Sequence, residues 1–528
     1  MSASAPEPTD PVDDLAWNEV PTRQKVLVVG AGPAGLAAAA SLKALQVPFD
    51  LVDSAKDVGG IWNPDRADSP VWPSLEMISS TRFTQFEDLV QPVSFPSFLS
   101  PDRMAKYLRA YAARYRLTDH FLPGRGVRAA KPFEDGVWEV EFHGGMIGIY
   151  RAIVAAHGTT NRLHLPEWAD DVPASITTLH SSAWTGADGL EGKRVLVVGA
   201  GQSAADVAVD AARRALEVRW SARSGHWIVP RTIGGMPGDV AASHEPEALG
   251  GLNERIAESV IGRSVGNPER LGLPRPSAPL LEDRVIVSDD VVPRIRDGRI
   301  TPVGDVTGVD EDGTVSFAGD PVYRPDVIVY ATGYEHGADY LPDTVVPTTA
   351  DGTADLFLGT FPRGREDLVL LGQQHVNGGV LPLLVQQADL AAYVLRATWD
   401  HGDDAHSSAH GGGGAQHGSG TGAAGTAESR KAAAALAEFR RLKAGSDTAV
   451  PRRQAPSGLR ARLDGVLGRL PRTAPGARSA GSGIRRSAAG ATGAGARGAG
   501  TQRAPELVPY ASRDDLVAQL GTVRDLFE

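Results

Sequence analysis

From residue 25 onward, short runs rich in Val, Ile and Leu alternate with Ala-rich stretches. The runs read KVLVVG (25–30), FDLVDS (49–54), RAIVAAHG (151–158), RVLVVGAG (194–201), VRWSARS (218–224), DVIVYATGY (326–334) and DLVLLGQ (367–373). Short β-branched runs separated by helical stretches are the pattern of a parallel sheet covered by helices, so the fold class is α/β. Residues 1–24 carry charge and proline but no periodic apolar face, and are expected to form a disordered leader. Beyond His401 the composition shifts to Gly, Ala, Ser and His, which bury too little apolar surface to offset the cost of ordering the chain. A low-complexity linker is therefore expected over 400–504, interrupted by a basic helix in SRKAAAALAEFRRLKAGS. The amphipathic end, 505–528, is expected to dock on the body.

Composition narrows the chemistry. A chain of 528 residues is long enough for two or three domains with buried cores. Its formal net charge of −11 gives no basic excess for nucleic acid or anionic lipid, so the expected partners are small molecules. With no cysteine, structural disulfides, thiolate metal sites, iron–sulfur clusters and a redox dithiol are excluded. The amino terminus has no basic stretch leading into an apolar core, and a cytoplasmic address is expected. The uncharged, largely apolar stretch 26–42 holds four Gly or Pro residues and reads as a nucleotide-binding turn rather than a membrane span.

That turn is the first candidate site. KVLVVGAGPAGLAAAASLKALQVPFDLVD is a strand, a glycine turn, a helix and a second strand ending in an acid. Gly30 permits the tight turn, Gly32 lets the backbone approach a pyrophosphate, and Gly35 lets the helix pack close to the strand; the helix N-terminus faces the phosphate charge. Asp53, 23 positions after Gly30, is placed to take a ribose hydroxyl pair. Just beyond, Gly59 and Gly60 offer bare backbone and Trp62 a flat wall, or ordinary core packing.

The unit recurs 169 positions later as KRVLVVGAGQSAADVAVDAARRALEVRWSARSG, with Gly199, Gly201 and Ser203, and with Ala204 in place of the third glycine. Two such units imply two nucleotides. Where the first unit ends in Asp53, the second has Ser221 and Arg223. The acid that would repel a 2′-phosphate is gone, and a guanidinium able to grip it is supplied, which favours NADPH over NADH.

Together these residues resemble the flavin-containing monooxygenase family and its Baeyer–Villiger relatives, over about 25–399. GAGPAGL with GGIW behind it is similar to the family's FAD turn, and GAGQSAADVA, preceded by LHSSAW and GK, to its NADPH turn. DVIVYATGY resembles the strand and turn (Ala331, Thr332, Gly333) with which the chain returns to the FAD domain. AAHGT resembles an earlier such turn with His157 replacing threonine, and GHWIVPR a stretch lining the NADPH domain. The resemblance implies two Rossmann-like domains, the NADPH domain (171–315) inserted into a split FAD domain (25–170 and 316–399). Two departures stand out: Ala174 and Ile176 replace the Phe and Gly of the family fingerprint, which His180, Ser181 and Trp184 match, and Ser80 or Thr81 stands where the family often has Asn near the flavin.

What the resemblance implies chemically is hydride transfer from NADPH to FAD, capture of O2 as a flavin hydroperoxide, and transfer of one oxygen to a soft nucleophile on a small substrate. Held deprotonated by a cation, for which Arg231 is the candidate, the same peroxide would instead attack a ketone. Retained NADP would be gripped by Arg223 and Ser203. His180 would orient the nicotinamide domain or move a proton, Ser80 and Thr81 would donate to the flavin edge, and the turn 372–379 would close over it. Two other classes stay open: a flavin reductase or oxidase with a non-oxygen-inserting role, and a silent flavin- and NADP-binding protein.

Overall fold

The computed structural model describes residues 19–243, 267–280, 284–335, 337–348, 354–374, 376, 378–409, 427–445 and 513–525. The expected leader, apart from 19–24, and most of the expected linker lie outside them. Two five-stranded parallel sheets dominate. The first runs in the order Leu368–Leu370, Ala152–Ala155, Val26–Val29, Phe49–Val52, Phe121–Leu122; the second runs Ile300–Val303, Glu217–Ser221, Arg194–Val198, Val327–Tyr330, Thr177–His180. Each glycine-turn strand sits at the centre of its sheet.

Side-chain alternation assigns the two faces of the first sheet. Val26, Val28, Phe49, Leu51, Ala152 and Val154 face the helices, while Leu27, Val29, Val52, Ile153 and Ala155 face a three-stranded antiparallel sheet through Trp138, Val140 and Phe142. With both faces buried, these strands read as continuous apolar runs. The helix Pro33–Ala44 lies on the helical face with Ala37, Ala38 and Ala39 almost fully buried, small residues that let the long helix Leu381–Ala409 pack against it. The second sheet is built alike: Val195, Val197 and Val329 meet the helix Gln202–Ala211, and Leu196, Val198 and Ile328 meet the hairpin Val306–Val309/Val315–Phe317.

Two expectations are corrected. The run 326–334 does not open the return to the first sheet: Val327–Tyr330 pairs in parallel with Val195–Val198 and completes the second. It is the counterpart of Ala152–Ala155, which flanks Val26–Val29 in the same way. The boundary at 316 is therefore too early, and the first sheet is completed only by Leu368–Leu370. The long helix also continues past residue 400, to Ala409.

Beyond it, two helices dock on the first-sheet half. Ala427–Gly445 inserts Phe439 edge-on against Phe357 and Phe361, at centroid distances of 5.7 and 5.0 Å, and Arg440 grips Glu366 with two hydrogen bonds of 2.7 Å. Arg513–Arg524 buries Leu516, Leu520 and Val523 in the same core and packs on the long helix. Among the described residues no helix is long and apolar enough to cross a membrane. Phe439→Ala is expected to destabilise the first-sheet half by about 3–5 kcal/mol, the usual cost of emptying a buried aromatic site. Chemical denaturation checks this, and a loss below about 1 kcal/mol would contradict the docking of this helix.

Candidate functional site

At the carboxyl edge of the first sheet the backbone turns so tightly that side chains are excluded. Gly30 has φ +103°, and a Cβ there would lie 2.4 Å from the Ala156 carbonyl oxygen; at Gly35 a Cβ would lie 1.7 Å from Gly30 O. The GGIW turn closes on the same place. The Gly59 N–H donates to Ala31 O (2.9 Å), and a Cβ on Gly60 would come within 2.8 Å of Gly32 Cα. Gly30, Gly32, Gly35, Gly59 and Gly60 thus form one cradle of bare backbone at the start of Pro33–Ala44, as a pyrophosphate requires. Trp62 ends the 3-10 turn Gly60–Trp62 and lies half-buried against the helical core.

Asp53 closes the cradle from the next strand. Its carboxylate accepts from the Ala31 and Ala55 amides, both at 2.8 Å, and meets Arg66 at 3.3 Å. It holds the turn in shape, and only its remaining lone pairs are left for a ribose. Across the cradle, a Cβ on Gly372 would lie 3.4 Å from the Ala34 and Leu384 side chains, and Gly379 sits against Phe83 O with no room for a side chain. His375 and Asn377 of that turn lie outside the described residues. Gly372 and Gly379 thus link the start of the helix Pro33–Ala44 to the segment 79–84. Within it the Ser80 hydroxyl is buried, the residue being 1% exposed, and is without a hydrogen-bond partner among the described residues. A buried donor of this kind is costly unless a bound group satisfies it. Thr81 instead gives its hydroxyl to Pro96 O (2.5 Å). Bare cradle and orphaned hydroxyl fit a flavin dinucleotide.

The second turn repeats the geometry with an open mouth. Gly199 has φ +140°, and its Cβ would fall 2.1 Å from Ala331 O, whereas Gly201 has free space around it. Ser203 is exposed on the first turn of Gln202–Ala211, and Ala204 is fully buried where the first unit needs glycine. Arg223 is exposed and makes no ion pair among the described residues. Ser221, in contrast, points inward and donates to Gly304 O (2.8 Å).

Three further expectations change. Ala331, Thr332 and Gly333 belong to this second turn: Ala331 O packs on Gly199, Thr332 donates to His164 O, and Gly333 O meets His180 Nε2 at 3.1 Å. His180 Nδ1 accepts the Ser182 amide (3.1 Å), so its proton resides on Nε2 and is given to Gly333 O. Burial lowers its pKa, and with both nitrogens engaged it joins the strand end to the 331–333 turn rather than serving a reacting atom. Arg231 reaches across to the first half, donating to Met77 O at 2.6 Å and lying over the Phe98 ring.

Sequence reasoning missed Gln202, whose amide clamps Val287 through both its N–H and C=O (2.8 and 3.0 Å). It missed Asp206, whose carboxyl burial pushes up to about 6. It also missed Asp239, which accepts the Ser80 amide at 2.7 Å from 159 positions away. No local pattern announces a contact of that separation.

A family model described as flavin-binding monooxygenase-like matches residues 23–402. Among curated proteins the chain is 27% identical over 400 residues to the N-oxide-forming dimethylaniline monooxygenase 2 of Rattus norvegicus, covering 71% of this chain and 73% of that one. It is 28% identical over 355 residues to indole-3-pyruvate monooxygenase YUCCA1 of Oryza sativa subsp. japonica, covering 66% and 86%. Among solved structures, OTEMO in complex with FAD and NADP is similar in fold, with a TM-score of 0.57 at 19% identity, covering 73% of this chain and 86% of that one.

Gly35→Ala is expected to abolish FAD retention while the folded second half persists, read as loss of flavin absorbance with an unchanged NADP dissociation constant. Arg223→Ala is expected to raise KM for NADPH by about 10- to 100-fold, the cost of one or two charge-assisted hydrogen bonds, and to leave KM for NADH unchanged. Equal effects on both would overturn the assignment of Arg223 to the 2′-phosphate.

Proposed function

The chain belongs to the flavin-binding monooxygenase-like family, and from that premise we propose that it delivers one oxygen atom of O2 to a soft nitrogen or sulfur atom of a small organic substrate. It is an FAD- and NADPH-dependent monooxygenase. FAD, when bound, takes hydride from NADPH and activates O2; the protein supplies binding, orientation and shielding.

The first glycine cradle would hold the FAD pyrophosphate, with Asp53 shaping the turn. Gly201, Ser203 and Arg223 would hold NADPH. Ser80 would satisfy its buried hydroxyl on the flavin edge. Thr81 lies beside it as a support, its own hydroxyl already given to Pro96 O. His180, through Gly333 O, would fix the turn that packs on the NADPH glycine. Tyr334 stacks edge-on against the His180 ring at 5.1 Å.

The observation that carries the choice of substrate is the engagement of Arg231. Oxygen insertion beside a ketone needs the delivered oxygen held as an anion by a nearby cation. The Arg231 guanidinium donates to the Met77 carbonyl, lies over the Phe98 ring and stands 3.8 Å from the Glu76 carboxylate, which offsets its charge and favours transfer to a nucleophilic heteroatom that needs no such anion. Incubation with NADPH, O2 and a panel of tertiary amines, thioethers and cyclic ketones tests this. N-oxides or sulfoxides are expected, formed one per NADPH consumed. Lactones from the ketones with no heteroatom oxides would overturn the reading, and NADPH consumption with peroxide as the sole product across the panel would place the protein with the oxidases.

A further inference from the structure

The segment 79–84 is held from two sides. Its own half supplies the carbonyls of Pro96 and Ser97, which take the Thr81 hydroxyl (2.5 Å) and amide (2.7 Å). From the second-sheet half, the hairpin Thr232–Ile233/Met236–Pro237 and the short helix Gly238–Ser243 reach over it. Two charged side chains there are matched to the polarity of the peptide they meet. The Arg231 guanidinium takes the Met77 carbonyl at 2.6 Å, and the Asp239 carboxylate takes the Ser80 N–H at 2.7 Å. Both are charge-assisted hydrogen bonds, shorter and stronger than neutral ones. The grips are braced against each other, since the Gly238 amide donates to Arg231 O (2.8 Å). The second oxygen of Asp239 accepts the Val240 amide (2.8 Å), which fixes its rotamer.

The consequence falls on Ser80. Its amide is anchored by a carboxylate from the other half of the chain, while its buried hydroxyl, one Cα–Cβ step away, has no partner among the described residues. We propose that Asp239 is a positioning residue of the flavin site: it sets the Ser80 hydroxyl against the flavin edge and makes that setting depend on the two halves of the chain being closed on each other. The proposal rests on the reading that Ser80 meets the flavin. Asp239 itself touches neither substrate nor cofactor; it acts through the Ser80 backbone.

The test uses the full-length holoenzyme in four forms: Ser80→Ala, Asp239→Ala, Asp239→Asn and the double alanine variant. Visible flavin spectra, FAD dissociation constants from apoprotein titration, and peroxide released per NADPH are recorded for each. Asp239→Ala is expected to shift the flavin spectrum as Ser80→Ala does, and to raise peroxide release about five- to tenfold, the scale of one lost hydrogen bond. FAD affinity should fall by no more than that same factor, because the cradle is untouched. Asp239→Asn keeps an oxygen acceptor and should restore the wild-type spectrum. The double variant should be no worse than Ser80→Ala alone. If Ser80→Ala shifts the spectrum and Asp239→Ala does not, or if their effects add, the proposal is overturned and the reading of Ser80 survives. If Ser80→Ala itself leaves the spectrum unchanged, that reading falls and the proposal with it.

Discussion

Two carbonyl oxygens, of Ala156 and Ala331, lie where side chains at Gly30 and Gly199 would have to go. Each belongs to the residue just after the strand that flanks the glycine-turn strand of its sheet. This close approach can form only if the neighbouring strand is parallel and in register, as Val26↔Ala152 and Val195↔Val327 are. Only then do both strand ends reach the same edge, where the following helix begins and its free amides point outward. Sheet order, glycine positions and nucleotide cradles are thus one constraint. The cradles differ in one respect: Gly35 has no space for a methyl group, because the helix there presses on the oxygen of the turn's own first glycine, whereas Ala204 is accommodated fully buried.

The four hydrophobic clusters divide largely between the two sheets, and the halves meet through polar contacts and a small apolar one, Trp72 and Leu75 of the first half packing in the core of the second sheet. At the junction a cation faces a carbonyl and an anion faces an amide, through Arg231 and Asp239. Such contacts fix orientation while burying little apolar surface, a compromise suited to two sites that must exchange hydride across a gap. The first half is braced further on its far side. Ser41 of the glycine-turn helix donates to Asp389 of the long helix (2.7 Å), on which the helix Arg513–Arg524 packs in turn.

Much of this was legible in the sequence. The parallel α/β plan, both glycine turns and the loss of the acid in the second unit follow from short-range patterns: an apolar run of strand length, glycines at fixed offsets, an acid or an arginine one strand later. These are local because the physical demands are local, namely a positive φ at Gly30 and Gly199, and a second strand that must end beside the turn. The docking helix around Phe439 was visible as a helix for the same reason.

The tertiary structure decided what each polar side chain spends its hydrogen bonds on. Ser221 and Arg223 stand two positions apart, yet one turns inward to Gly304 and the other is exposed, because the strand Glu217–Ser221 ends at Ser221 and Arg223 lies beyond it. His180 and Arg231 read as catalytic candidates until their partners, Gly333 and Met77, were in place 153 and 154 positions away. The run 326–334 looks the same whichever sheet it joins, and only pairing with Val195–Val198 assigned it to the second. Sequence pattern carries backbone geometry, which repeats over a few residues; it does not carry partnership between distant side chains, which exists only after the sheets have closed.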